Sequence, residues 1–95
     1  MNFATQHQTE EEVLVLLEEV KEFSIVVFND DVNTFDHVIE SLMLICKHEW
    51  LQAEQCALLI HTTGKTVVKS GEYKTVEPMC TALLERGITA EITEK

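Results

Sequence analysis

Three consecutive polar residues, Asn29, Asp30 and Asp31, follow a short apolar stretch in this sequence. A single histidine, His61, ends a second apolar stretch just before a Thr-Thr-Gly turn. Amide and carboxylate oxygens, together with a neutral imidazole nitrogen, can accept hydrogen bonds from a small cation. Apolar residues beside them would suit a cation that carries a large hydrophobic group. The free α-amino group of a peptide with a large hydrophobic first residue fits that description.

The same features also have purely structural interpretations. Asn and Asp are favoured in a turn between a strand and a helix because their side chains hydrogen-bond the local backbone. A histidine such as His61 is favoured near the end of a helix because its protonated form suits the helix dipole. The residues alone leave the structural and the binding interpretation open.

The residue pattern excludes several other kinds of chemistry. A calcium loop that starts at Asp31 would need a glycine where Asp36 stands and a glutamate where Leu42 stands. The cysteines are odd in number and have no Cys-x-x-Cys spacing, which argues against a disulfide framework and a zinc site. They are Cys46, Cys56 and Cys80, and we expect buried free thiols in a reducing compartment. With neither a nucleophile elbow nor a phosphate loop, the sequence predicts no enzyme, no metal and no cofactor.

The length and charge of the chain limit its possible partners. Its 95 residues correspond to one small domain, and 17 acidic against 7 basic residues give a formal net charge of −10. A field of this sign repels nucleic acid and anionic membranes, so we expect neither as a partner. Residues 1–12 lack the features of a signal peptide, and no stretch reaches the ~20 apolar residues of a membrane span. We therefore expect a cytoplasmic protein that acts as a monomer.

Hydrophobic periodicity predicts an α+β domain over residues 22–95, with three helices packed against a three-stranded antiparallel sheet in the order β-α-α-β-α-β. The predicted strands are Ser24–Phe28, Lys65–Lys69 and Ile88–Ile92, with a turn at Ser70 and Gly71. The predicted helices are residues 35–48, residues 52–62 and a third helix that begins around Glu77 and Pro78 and stops at Gly87. Residues 1–21 are expected to form an N-terminal extension that is partly flexible.

Residue types indicate where the helices end and which faces they bury. Asn33 or Thr34 can cap the first helix, and Gly64 can end the second in a left-handed conformation. The expected apolar face of the first helix is Val38, Leu42, Ile45 and Cys46, and that of the third is Val76, Met79, Cys80, Leu83 and Leu84. In the second helix, Ala53, Cys56, Ala57, Ile60 and His61 are expected on or next to one face.

Two stretches of the sequence resemble the ClpS family, adaptors that recognise N-terminal degradation signals for a Clp ATPase–protease. Val26–Val38 is similar to the family's first strand, its Asn-Asp-Asp motif and the start of its first helix. Ala53–Lys65 is similar to its second helix, which ends in a histidine and a Gly-Lys turn. The resemblance covers residues 23–92. Gln52–Cys56 and Leu83–Gly87 resemble, in particular, ClpS-like proteins of the Bacteroidetes lineage.

The resemblance implies a function for particular residues. Asn29, Asp30 and His61 would hold the α-ammonium group of a peptide whose first residue is Leu, Phe, Tyr or Trp. That first side chain would enter a pocket lined by Val38, Ala57, Ile60 and Ile88. The residues at the mouth of the pocket would be Asp31, Asn33, Thr34 and Phe35.

Three departures from the family pattern affect these expectations. Ala57 stands where the family commonly has a methionine, so we expect a wider pocket that favours bulky aromatic residues or excludes Ile and Val less firmly. Val32 replaces a frequent aromatic residue, and Thr34 replaces a frequent proline. The third helix is also expected to be shorter than usual, which affects the placement of Ile88.

The resemblance also implies partners. The chain would hand N-degron substrate proteins to a Clp-type AAA+ ATPase, ClpA or ClpC, through a surface that includes parts of Lys65–Met79. The extension, residues 1–21, would engage the pore of the ATPase.

Two other interpretations stay open at this point. One is a protein-interaction domain of the same fold, like the C-terminal domain of the ribosomal stalk protein, without recognition of an N-terminal residue. The other is a small hydrolase built on Asp30 and His61. The joint presence of Asn29, Asp30 and His61 favours the adaptor, because an interaction scaffold needs none of them.

Overall fold

The computed structural model describes residues 9–14 and 21–95. Its elements are β1 (Phe23–Phe28), α1 (Phe35–Cys46), α2 (Trp50–Thr63), β2 (Lys65–Gly71), α3 (Tyr73–Glu85) and β3 (Ala90–Glu94). The predicted order β-α-α-β-α-β is confirmed. Residues 10–14 are helical, and residues 1–8 and 15–20 of the predicted extension lie outside the described residues.

The three strands form one antiparallel sheet in the order β2-β1-β3, as predicted. β1 is central, and its alternate residues Ile25 and Val27 are buried in the core at 0% and 1% exposure. Because the apolar run ends at Phe28, Asn29 is the first residue to leave the central strand. This places the polar residues 29–31 at one edge of the helical layer.

A β-bulge in β2 is hydrogen-bonded to a buried histidine. Ile25 pairs with Lys69 whereas Val26 pairs with Val67, so Val68 is the extra residue on β2. The carbonyl of Val68 accepts a 2.7 Å hydrogen bond from Nε2 of His48, which is 6% exposed. Nδ1 of this ring is buried without a partner among the described residues. His48 therefore joins the connection between α1 and α2 to the sheet.

Both predicted helix caps are confirmed. The hydroxyl of Thr34 accepts a hydrogen bond from the backbone N–H of His37 at 3.0 Å, so the first turn of α1 is capped. Gly64 ends α2 with φ +96°, and its N–H donates to the Ile60 carbonyl at 3.0 Å. A side chain at position 64 would strain this left-handed backbone.

The predicted start of α3 and the predicted turn before it are wrong. α3 begins at Tyr73 and has 13 residues, so Pro78 lies inside it. Tertiary packing explains the earlier start: Val76 is fully buried, and the Tyr73 ring meets the Phe23 ring edge-on at 5.3 Å. Residues 70 and 71 continue β2, because Ser70 pairs with Ser24 and their hydroxyls are 2.8 Å apart.

The core lies between the sheet and the three helices. Its buried hydrophobic residues are Ile25, Val27, Ile39, Leu42, Cys46, Ala53, Ala57, Ile60, Val68, Val76, Cys80, Leu83, Ile88 and Ala90. The predicted apolar faces are largely inside, except that Leu84 is 51% exposed. Burial raises the pKa of the Cys46 thiol to about 11.

Candidate functional site

A pocket of about 420 Å³ lies between the end of β1, the start of α1 and the last turns of α2. Its lining residues are Asn29, Asp30, Asp31, Asn33, Phe35, Val38, Ala57, Ile60 and His61. The structure therefore brings together every predicted site residue except Thr34 and Ile88. Residues separated by more than 20 positions in the sequence share this one cavity.

Two backbone hydrogen bonds hold the end of β1 in place. The N–H of Asn29 donates to the carbonyl of Gly64 at 2.9 Å, and the N–H of Phe28 donates to the carbonyl of Thr89 at 2.9 Å. Because Gly64 follows the last turn of α2, the first of these bonds fixes residues 29–31 beside the end of that helix. His61 belongs to the same turn.

The carboxylate of Asp30 is oriented by its own loop. Oδ1 accepts hydrogen bonds from the backbone N–H groups of Val32 at 2.9 Å and Asn33 at 2.8 Å. Oδ2 accepts a third from the side-chain amide of Asn33 at 2.7 Å. A carboxylate has about four acceptor positions. Asp30 thus closes the turn, and one acceptor position remains for a ligand.

These bonds also favour the charged form of Asp30. Its pKa lies below the ordinary value of 3.8, first because of the backbone N–H of Asn33 and also because of the Asn33 side chain and the Val32 N–H. Partial burial acts in the opposite direction. The group is therefore a carboxylate at neutral pH, as a partner for a cation must be.

Asn29 and His61 bring the remaining polar acceptors to the pocket. Both residues are exposed. Within residues 21–95, the side-chain hydrogen bonds around the pocket involve neither the side-chain amide of Asn29 nor the His61 ring. The amide oxygen and a neutral imidazole nitrogen can each accept a hydrogen bond from a donor that enters the pocket.

The apolar wall of the pocket comes from two helices. Ala57, Ile60 and His61 are spaced i, i+3 and i+4 on α2, so they share one face. Ala57 and Ile60 are each 3% exposed, and Val38 of α1 is half-buried. Phe35 is 40% exposed and lies at the opening. The arrangement can hold a cation at one end and a hydrophobic group at the other.

Thr34 and Ile88 are not among the lining residues. The hydroxyl of Thr34 is used to cap α1. Ile88 is 2% exposed in the core, where its N–H donates to the carbonyl of Leu83 at 3.0 Å.

The sequence did not predict the hydrogen bonds that link the site to the loop after α3. The Asn33 amide that donates to Asp30 also donates to the carbonyl of Gly87 at 2.9 Å. His37 Nε2 lies 2.9 Å from the carbonyl of Arg86, and the Nε of Arg86 donates to the hydroxyl of Ser41 at 2.8 Å. The only local signal was the Asp-x-x-Asn spacing, which is typical of a turn closed by side chains.

Two further searches concern the described part of the chain. Over residues 9–14 and 21–95, no helix is long and apolar enough to cross a membrane. In the same residues, no three His, Cys, Asp or Glu side chains are grouped so as to hold a metal ion.

Comparison with known proteins gives consistent matches. A sequence model of the family described as ATP-dependent Clp protease adaptor protein ClpS matches residues 18–91. The chain is 30% identical over 70 residues to the ATP-dependent Clp protease adapter protein ClpS of Wolinella succinogenes, covering 74% of this chain and 69% of that relative. The fold is similar to that of Agrobacterium tumefaciens ClpS2, solved bound to L-phenylalaninamide, with a TM-score of 0.73 at 18% identity. That match covers 79% of this chain and 98% of the other.

Proposed function

This chain belongs to the ClpS family of Clp protease adaptor proteins, and on that premise we propose that it binds proteins with a free N-terminal Leu, Phe, Tyr or Trp and delivers them to a Clp ATPase–protease. The observation that carries the proposal is the single pocket that joins polar acceptors to an apolar wall. Asn29, Asp30 and His61 are the acceptors, and Val38, Ala57 and Ile60 form the wall.

The acceptors match the donors of an α-ammonium group. Such a group has three N–H donors, and the site offers an amide oxygen, the last acceptor position of Asp30 and an imidazole nitrogen. Hydrogen bonds from a cation to a carboxylate are short and about twice as strong as neutral ones. Acetylation removes the charge and two of the donors, so the acceptors would be left unpaired.

The apolar wall matches the first side chain. Burial of a Leu or Phe side chain contributes ~1.5–3 kcal/mol. The ligand of the Agrobacterium ClpS2 structure, L-phenylalaninamide, has a free amino group, a benzyl side chain and no carboxylate. It therefore has the chemistry of an N-terminal Phe residue, and a pocket of about 420 Å³ is in the usual size range for such a ligand.

Ala57 sets the width of the pocket in this proposal. The residue is 3% exposed and has no side chain beyond Cβ, so it leaves space beside Ile60. We expect peptides with a large aromatic first residue to gain most affinity from that space. We also expect Ala57 to exclude β-branched first residues less firmly than a longer side chain at position 57 would.

Delivery requires a second surface, which contacts the Clp-type AAA+ ATPase, ClpA or ClpC. We assign it to parts of Lys65–Met79, which comprise the edge strand β2 and the start of α3. Val67 and Tyr73 are 51% and 48% exposed there. The extension, residues 1–21, would engage the pore while the folded domain holds the substrate. In this role the chain acts as a cytoplasmic monomer and needs neither a cofactor nor catalysis.

Fluorescence anisotropy tests the recognition step. Three labelled peptides differ only at the N-terminus: a free Phe, the same peptide acetylated and a free Ser. We expect saturable binding of the free Phe peptide alone. Equal binding of all three, or binding of none, would contradict N-terminal recognition and favour a protein-interaction domain of the same fold.

A further inference from the structure

A second cavity, of about 570 Å³, runs along the outer side of α1 and the first turns of α2. We call it the α1–α2 groove. Its apolar lining residues are Phe35, Ile39, Met43, Leu44 and Trp50, and its acidic ones are Asp36, Glu40 and Glu54. The proposed recognition of the first residue uses none of these except Phe35.

The groove exposes several large apolar side chains. Met43, Leu44 and Trp50 are 37%, 58% and 53% exposed, and all three line this one groove. Contiguous exposed patches of large apolar residues mark interaction sites. Met and Trp are also among the residue types that are enriched at such sites.

The charges around the groove have one sign. Asp36, Glu40 and Glu54 line it, and no Lys or Arg does so among the described residues. Glu40 is partly compensated, because its Oε1 pairs with the Nη2 of Arg86 at 2.8 Å. The ion pairs within residues 21–95 involve neither Asp36 nor Glu54, so the rim attracts a cationic partner.

The groove adjoins the pocket of the proposed function at one residue. Phe35 lines both cavities. From Phe35 the groove follows α1 as far as Leu44, nine residues later and therefore about 13–14 Å along the helix axis. About four extended peptide residues span that length. A peptide whose first residue is in the pocket can pass Phe35 with its second residue and reach the groove with the next ones.

We infer that the α1–α2 groove is an extended substrate subsite, which receives apolar and basic residues at about the third to sixth positions of the bound protein. This inference rests on the proposed function, because the substrate is anchored by its first residue. It adds a second determinant of affinity, downstream of the free N-terminus. Substrates with Leu and Lys in this segment are then preferred over those with Ser or Glu there.

The chain's own extension is a poor occupant of the groove. Its sequence carries Glu10, Glu11 and Glu12 before the apolar run, and Glu18 and Glu19 after it. Like charges across an interface are repulsive, and the rim of the groove is acidic. A substrate segment with Lys or Arg fits both the apolar floor and the rim.

Anisotropy titrations of the full-length chain test the inference with four labelled peptides. The first begins with a free Phe and has alternating Leu and Lys from its third position. The second has Ser throughout that segment, the third replaces each Lys by Glu, and the fourth is the first with an acetylated N-terminus. Unlabelled L-phenylalaninamide reports separately on the pocket.

We expect the Leu-Lys peptide to bind roughly five- to tenfold more tightly than the Ser peptide, the gain from partly burying one or two Leu side chains. The Leu-Glu peptide should lose that advantage, and added salt should reduce it. Met43→Ser and Leu44→Ser should abolish it without changing the affinity for L-phenylalaninamide. Leu58→Ser is the matched control, because Leu58 is 52% exposed on α2 and lines neither cavity.

The outcomes separate this inference from the proposed function. Equal affinity of the Leu-Lys and Ser peptides, with L-phenylalaninamide still bound, would overturn the groove alone. If the free and acetylated Leu-Lys peptides bind equally, the free N-terminus does not anchor the peptide, and both the proposed function and the subsite are overturned. If no peptide with a free Phe binds, the proposed function fails, and the extended subsite fails with it.

Discussion

The side-chain amide of Asn33 donates a 2.7 Å hydrogen bond to the carboxylate of Asp30. The same amide donates to the carbonyl of Gly87 at 2.9 Å, so the loop after α3 holds Asp30 in place through Asn33. Asp30 thereby faces the pocket in a fixed orientation before any ligand binds. Preorganisation of this kind reduces the entropic cost of binding.

Replacing Asn33 with Ala removes both bonds. We expect the pKa of Asp30 to rise toward its ordinary value, because one of the donors that lower it is lost. The fold should lose about 1 kcal/mol of stability, and the affinity for a Phe peptide should fall. NMR titration of the Asp30 carboxyl group and peptide anisotropy measure the two effects. Gln55→Ala, an exposed change on α2, is the control; an unmoved pKa would contradict the role given to Asn33.

Replacing His61 with Ala removes one acceptor for the α-ammonium group. The affinity for free Phe peptides should weaken by ~1–3 kcal/mol, since a charge-assisted hydrogen bond is lost while the other acceptors remain. Calorimetric titration gives the affinity, and the unfolding midpoint should stay unchanged because His61 is exposed. Thr62→Ala, next to it and outside the pocket lining, should bind normally. Unchanged affinity in His61→Ala would rule out its assigned contact.

Replacing Ala57 with Met should fill part of the pocket. Peptides that begin with Trp, Phe or Tyr should lose roughly tenfold in affinity relative to a peptide that begins with Leu. A loss of this size corresponds to the usual free-energy cost of overfilling a packed site. The check is the order of affinities across peptides that begin with Leu, Ile, Val, Phe, Tyr and Trp. Leu58→Met adds the same side chain outside the pocket and should leave that order intact. The same order in Ala57→Met would mean that position 57 does not limit the pocket.

The pH dependence of stability should follow Asp30. Its folded pKa is lower than its ordinary value of 3.8, so its contribution is fully present above that value. The contribution is lost as the pH falls through the folded pKa. Urea unfolding of the natural chain and of Asp30→Asn should therefore differ most near neutral pH and converge in acid. A constant difference across this range would contradict the lowered pKa.

Local signals in the sequence predicted the parts of the site that depend on short-range chemistry. The apolar run that ends at Phe28, the Thr34 cap and the Gly64 terminus each follow from one residue type at one position, and all three are found. The i, i+3, i+4 spacing of Ala57, Ile60 and His61 likewise places them on one face. The resemblance to ClpS indicated which of these residues belong together.

Features that depend on long-range contacts were not predictable in the same way. Pro78 suggested a late start of α3, but burial of Val76 and the contact of Tyr73 with Phe23 extend the helix toward its N-terminus. The bulge at Val68 is hydrogen-bonded to His48, 20 positions earlier in the chain. The exposed groove was missed because apolar residues such as Met43 and Trp50 resemble core residues in a sequence.

The measurement that tests the central claim most directly is an NMR titration of the ¹⁵N-labelled chain with L-phenylalaninamide and with its N-acetylated form. The account predicts saturable shifts of the Asn29, Asp30, His61 and Gly64 resonances with the free amine, and none with the acetylated compound. Shifts at other residues only, or the same shifts with both compounds, would show that these residues do not recognise a free N-terminus.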